Sequence, residues 1–160
     1  MYTRNLLWLV SLVSAAPLYA ADVPANTPLA PQQVFRYNNH SDPGTLDPQK
    51  VEENTAAQIV LDLFEGLVWM DGEGQVQPAQ AERWEILDGG KRYIFHLRSG
   101  LQWSDGQPLT AEDFVLGWQR AVDPKTASPF AGYLAQAHIN NAAAIVAGKA
   151  DVTSLGVKEI

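Results

Sequence analysis

Leu6 to Ala16 carries no charge and little polarity, and it follows Met1-Tyr2-Thr3-Arg4-Asn5, which supplies one basic side chain. The apolar run is too short to span a bilayer, which takes ~20 residues. Small residues close it at Tyr19-Ala20-Ala21-Asp22. The order basic, apolar, small is that of a secretory signal rather than a membrane anchor. A buried N-terminal helix is the weaker alternative, because Pro17 would break it and Asp22-Val23-Pro24 does not continue it. Residues 1–20 are therefore expected to be a signal peptide cut after Ala20. Whatever folds must be built from the rest.

The rest contains no cysteine. An exported chain without thiols has no disulfide staple and must draw its stability from a packed core. The same absence excludes acylation at a cysteine after the signal, so a mature chain free in the periplasm, with no membrane anchor, is expected. Losing Arg4 leaves 10 basic against 18 acidic residues and moves the net charge from −7 to −8. Such a surface repels nucleic acid and anionic membrane, and no basic cluster offsets it. The charge serves solubility, and neither nucleic acid nor membrane is an expected partner.

Asp22 to Gln33 is rich in Pro and Ala without periodicity, so residues 21–33 read as a flexible mature N-terminus. Val34-Phe35-Arg36-Tyr37-Asn38 alternates apolar and polar residues and predicts a short strand. After the turn-rich His40–Gly44 and the stop at Leu46-Asp47-Pro48, a helix is expected. Asn54 or Thr55 would cap it, Gln58 would sit in capping-box position, and Val60, Leu63, Phe64 and Leu67 would form its apolar stripe. Leu67-Val68-Trp69 predicts a strand start, closed by the turn Asp71–Gly74. Trp84–Ile86 and Tyr93–Arg98 flank Asp88-Gly89-Gly90 as a hairpin with Tyr93, Phe95 and Leu97 on a buried face.

Beyond a loop around Asp105-Gly106, Thr110 and Asp113 bracket a capping box, and Phe114, Trp118, Ala121 and Val122 share one helical face up to Asp123-Pro124. Ser128-Pro129 predicts a further helix carrying Phe130, Tyr133 and Leu134. A short Ala-rich helix follows over Asn140–Val146, and Leu155–Ile160 resembles the start of a strand. The coarse fold is α+β, with no internal repeat.

No catalytic set is visible. The three histidines, His40, His96 and His138, are scattered and fall in no metal motif, and there is no Gly-x-Ser-x-Gly elbow. His96 lies on the polar side of its strand and reads as solvated. Glu112-Asp113 sits in the first turn of a helix, where negative charge suits the helix dipole. Glu52-Glu53 stands at the mouth of a helix, where a solvated cap and a cleft-facing site are both open readings. Trp84 and Trp118 sit on apolar faces and read as core. A secreted hydrolase is disfavoured, and no cofactor or metal is implied.

Ala81-Glu82-Arg83-Trp84, then Tyr93-Ile94-Phe95-His96-Leu97-Arg98-Ser99-Gly100-Leu101-Gln102-Trp103-Ser104-Asp105-Gly106, then Pro108-Leu109-Thr110-Ala111-Glu112-Asp113-Phe114 closely resemble the signature of the peptide/nickel-type family 5 of solute-binding proteins. Asp62–Leu67, Trp118–Pro124, Thr126–Phe130, Ala21–Ala25 and Leu155–Lys158 are similar to its oligopeptide-binding branch, and a murein-tripeptide-binding paralogue shares much of this.

The resemblance implies a periplasmic carrier and not an enzyme. It implies the N-terminal part of a three-lobed binding protein (type II-like, cluster C) that is incomplete in this chain. Residues 34–64 would start the first lobe, and residues 65–160 would form a small inserted lobe truncated at its C-terminal end. Two lobes would close about a hinge on an extended oligopeptide held through its backbone. The loaded form, a monomer, would dock on the membrane permease of an ABC transporter. The family's peptide-contacting segment falls on Glu52, Glu53 and Asn54, of which Glu52 matches the usual acidic residue and the next two depart from the usual Gly-Val. A second contact, usually Tyr, falls on Phe130, and the missing hydroxyl forgoes a hydrogen bond of about 0.5–1.5 kcal/mol. Family members are far longer than this chain, so tight peptide binding by these residues alone is not expected. A binding protein for murein tripeptide or dipeptides, and a truncated non-binding remnant, are the competing readings.

Overall fold

A computed structural model describes residues 27–28, 30–32 and 34–160. The expected signal peptide lies outside the described residues, as does most of the 21–33 segment. The described residues before Asn38 form one unit and Asn38–Ile160 another. In the first, the Phe35 and Tyr37 rings stack with centroids 6.0 Å apart. The strand expected at Val34–Asn38 does not form: the stretch carries no strand, and Phe35 is 88% exposed. Alternation alone does not make a strand, because an extended segment needs a neighbour for its N–H and C=O groups.

The second unit begins with a loop and then α1, Asn54–Leu63. Its N-cap is Glu53, one residue before the expected cap, and no side chain closes the first turn; the Thr55–Gln58 capping box is absent. Phe64 is the C-cap, with its N–H bonded to the Val60 carbonyl, so the stripe continues past the helix into Phe64 and Leu67. Strands β1, Val68–Met70, and β2, Val76–Pro78, pair antiparallel with Trp69 opposite Gln77. The second of them is not legible in the sequence, since three residues ending in proline carry no alternation to read. Asp71 holds the turn between them. Its Oδ1 accepts the Glu73 and Gln75 N–H groups and its Oδ2 the Gln77 side-chain amide, and these bonds, that of Gln75 foremost, hold its carboxyl below the usual range.

Strands β3, Ala81–Leu87, and β4, Arg92–Leu97, form the expected hairpin, with a register shift between Ala81 and Arg83. Trp84 lies opposite Phe95 and Ile86 opposite Tyr93, which places these side chains together on one face. That face is not buried as expected: Ile86 and Tyr93 are both more than half exposed, because no element of the described residues covers their end of the ribbon. His96 is not simply solvated either. Its Nε2 meets Glu85 Oε1 at 2.7 Å, and this bond chiefly holds the Glu85 carboxyl below the usual range.

The core lies in the C-terminal part. Helix α2, Ala111–Val122, starts with the expected capping box, in which the Thr110 N–H donates to Asp113 Oδ2 at 2.7 Å. Helices α3, Ala131–Gln136, and α4, Ala142–Val146, follow, then a single 3-10 turn at Val152–Ser154. Val122, Ala142, Ile145 and Leu155 are buried together, with Trp118, Leu134 and Ile139 packed against them. Trp118 and Trp84 are both only half-buried, but Trp118 packs against this core and Trp84 does not belong to it.

Two expectations shift here. Helix α3 starts at Ala131 with Phe130 as its N-cap, and Tyr133 is exposed rather than buried. Leu155–Ile160 begins no strand. Leu155 turns into the core instead, and the Gly156 N–H bonds back to the Asn140 carbonyl at 2.9 Å. The mixture of helices and antiparallel ribbons is α+β.

Candidate functional site

The Thr45–Asn54 loop is held from both ends. Asp47 is its centre: the Asp47 N–H donates to Thr45 Oγ1, and Asp47 Oδ1 accepts the Gln49 N–H at 3.1 Å. The Lys50 N–H closes a turn on the Asp47 carbonyl at 2.9 Å. Across from the loop, Arg120 on α2 donates through Nη1 and Nη2 to the two Asp47 carboxylate oxygens, at 2.9 and 2.6 Å. Arg120 Nη1 also donates to Gln49 Oε1 at 2.7 Å, and the Gln49 amide donates to the Gly117 carbonyl at 2.6 Å. A planar guanidinium opposite a carboxylate gives two parallel charge-assisted bonds, which fix direction as well as distance. The Arg120 guanidinium holds the Asp47 carboxyl at about 2, against a burial effect that works the other way.

The loop then passes through Val51, which is buried, to Glu52, Glu53 and Asn54, which are all exposed. The Glu53 carbonyl accepts the Ala57 N–H at 2.9 Å and so opens α1, and Ala56 is fully buried. The Glu53 carboxylate lies over Gly44: a methyl group added there would stand 2.7 Å from Glu53 Oε1. Glycine at position 44 lets the acidic side chain fold back on the loop.

Phe130 sits at the start of α3 and is half exposed. Its N–H donates to Ser128 Oγ at 3.2 Å, and Ser128 is itself buried, so the Ser-Pro-Phe corner is anchored beneath an exposed ring. Glu52, Glu53 and Asn54 stand together at the start of α1, while Phe130 belongs to a separate corner.

A cleft of about 360 Å³ opens elsewhere, lined by Leu63, Phe64, Trp103, Leu109 and Phe114 with Asp113 among the polar groups. The Trp103–Gln107 turn forms one wall, held by the Gly106 N–H to the Trp103 carbonyl at 2.9 Å and the Gln107 N–H to Asp105 Oδ1 at 2.9 Å. The Thr110 N–H is the main reason the Asp113 carboxyl lies below its usual range. None of the four residues singled out in the sequence lines this cleft. The sequence reading also passed over Asp47, Gln49 and Arg120; Leu46-Asp47-Pro48 reads only as a stop, and nothing local ties it to a helix 73 residues away.

With this geometry in view, comparison with known proteins defines the class. Residues 75–156, 82 of the 160, match the model described as bacterial extracellular solute-binding proteins, family 5 middle. The chain belongs to this family of solute-binding proteins, which is one of carriers and not of enzymes. Within it, the chain is 49% identical over 152 residues to the periplasmic oligopeptide-binding protein OppA of Salmonella typhimurium, covering 95% of this chain and 28% of that protein. It is 45% identical over 152 residues to the periplasmic murein peptide-binding protein MppA of Escherichia coli, again over 95% of this chain and 28% of the relative. The chain thus spans little more than a quarter of the length of these curated relatives.

Among solved structures, Haemophilus influenzae OppA in complex with RPPGFSPFR matches with a TM-score of 0.72 at 45% identity, over 76% of this chain and 24% of that one. The unliganded open form of MppA matches with a TM-score of 0.70 at 47% identity, over 72% of this chain and 22% of that one. Among the described residues no helix is long and apolar enough to cross a membrane.

Proposed function

We propose that this chain is part of a periplasmic binding protein that captures oligopeptides and delivers them to the membrane permease of an ABC transporter. The observation that carries this reading is the 49% identity to an oligopeptide-binding protein, sustained over 95% of the chain. Glu52, Glu53 and Asn54 offer backbone to an extended peptide and Phe130 offers a ring. Their exposure at two anchored corners supports that role. Residues 34–64 start the first lobe and residues 65–160 belong to the small inserted lobe. The mature protein is a monomer without a membrane anchor, released after removal of residues 1–20.

Murein tripeptide is the second candidate ligand, supported by the 45% identity to MppA and the match to its open form. The test is the native periplasmic product, captured with an antibody to this segment and weighed intact, then titrated with a plain tripeptide and with murein tripeptide in competition. A product several times heavier than this chain that binds the plain tripeptide more tightly supports oligopeptide transport. Preference for murein tripeptide moves the protein to the second reading. A product near the mass of this chain less its signal, binding neither, removes both.

A further inference from the structure

Glu52, Glu53 and Asn54 lie between two fixed points. On one side is Val51, buried at 6% exposure and preceded by the Asp47–Lys50 turn; on the other is Ala56, fully buried as the third residue of α1. Four residues separate these anchors, and each spans at most ~3.6 Å, so the segment cannot move far unless an anchor moves. The Ala56 anchor is apolar packing. Val51 is packed as well, but the turn ahead of it is held by polar bonds that converge on one side chain.

We propose that Arg120 is a positioning residue for the Glu52–Asn54 segment. The inference rests on the peptide-contact reading above for its functional meaning. Arg120 reaches the loop through three bonds at once, to Asp47 Oδ1, Asp47 Oδ2 and Gln49 Oε1, at 2.9, 2.6 and 2.7 Å. Because its oxygen is taken by Arg120, the Gln49 amide presents its NH₂ to the Gly117 carbonyl, one turn of α2 earlier, at 2.6 Å. The loop is thereby stapled to α2 at two heights, which blocks rotation about either contact alone. Only a planar fork serves this geometry; a lysine ammonium keeps the charge but cannot satisfy a carboxylate in parallel and an amide beside it. Arg98, by comparison, uses one nitrogen for both of its partners, Glu65 at 2.8 Å and Gln80 at 3.3 Å, and so makes no fork.

The test is amide hydrogen exchange on the 160-residue chain less its signal, wild type against Arg120→Lys, read at Lys50 and Ala57 and at Ile145 in the core. Positioning predicts that exchange at Lys50 and Ala57 rises about tenfold or more while Ile145 keeps its wild-type rate, the pattern of a local opening. Equal acceleration at all three sites makes Arg120 a contributor to global stability only and overturns the proposal, as does no change at any of them. If Arg120→Lys does not fold, Gln49→Leu removes two of the staples without touching α2 and carries the same expectations. The peptide reading is scored separately, by backbone amide shifts of residues 52–54 in the wild-type chain on addition of millimolar tripeptide. Local loss of protection without those shifts keeps Arg120 as the positioning residue and removes the peptide reading alone.

Discussion

Arg120 holds both carboxylate oxygens of Asp47, at 2.9 and 2.6 Å, between residues 73 apart in the chain. Asp47 is charged in this pair, and its folded-state value of about 2 lies below the ordinary 3.8. A group whose folded value is depressed contributes stability that is fully present above the unfolded value and is lost as pH falls through the folded one. Wild type is therefore expected to exceed Asp47→Asn in stability by a constant margin above about pH 5, with the margin shrinking between about pH 4 and pH 2. Urea unfolding of both proteins at a series of pH values measures it. A margin independent of pH across that window would show that the carboxylate is not paired in solution.

Gly156 and Gly44 both approach another residue closely, yet replacement should cost differently. A methyl group at Gly156 would stand 2.6 Å from Asn140 Cβ and 3.2 Å from its backbone nitrogen, neither of which can rotate away. Gly156→Ala is expected to destabilise by about 1–3 kcal/mol, as overpacking against backbone does. At Gly44 the obstacle is the far end of the Glu53 side chain, 2.7 Å away, which swings aside. Gly44→Ala should leave stability close to wild type and displace the Glu53 carboxylate. Denaturation midpoints of the two variants, with Glu53 side-chain NMR shifts for the second, separate the cases.

Ile145 is 1% exposed at the centre of the helical cluster. Ile145→Ala is expected to cost about 2–5 kcal/mol, the range for a large buried aliphatic truncated in a core that cannot fully collapse. Leu61→Ala, by contrast, removes a side chain that is 72% exposed and should cost under about 0.5 kcal/mol. Equal losses would mean that α1 is covered in solution by something absent among the described residues.

Peptide affinity of this chain alone should be weak. Glu52, Glu53, Asn54 and Phe130 are all exposed, and the chain spans 28% of its oligopeptide-binding relative. On the proposed reading, a peptide touching only these exposed corners would keep much of its polar surface in water. Calorimetry with a tripeptide is expected to give a Kd weaker than about 100 μM, or less than about 5.5 kcal/mol of binding free energy. Micromolar binding would show that this chain alone already forms a complete site.

Much of this protein is legible in its amino-acid sequence. The capping box at Thr110 and Asp113, the Asp88–Gly90 hairpin turn and the Trp103–Gln107 turn are local devices. The first and last are settled by a side chain bonding to nearby backbone and the hairpin turn by residues that accept a positive φ, so residue type and spacing suffice. Ordered motifs likewise carried family membership. What the sequence could not determine is whatever depends on a partner far along the chain. Val34–Asn38 alternates like a strand but forms none among the described residues; Leu155–Ile160 looks like a strand start, but Leu155 finds the space beside Val122 and Ile145 and turns inward. Tyr93 and Ile86 occupy the face the pattern assigned them and remain exposed, since alternation gives the face and only packing decides whether it is covered. The Asp47–Arg120 clamp belongs with these. A carboxylate and a guanidinium 73 residues apart have no mutual signature until the fold of α2 brings one over the other.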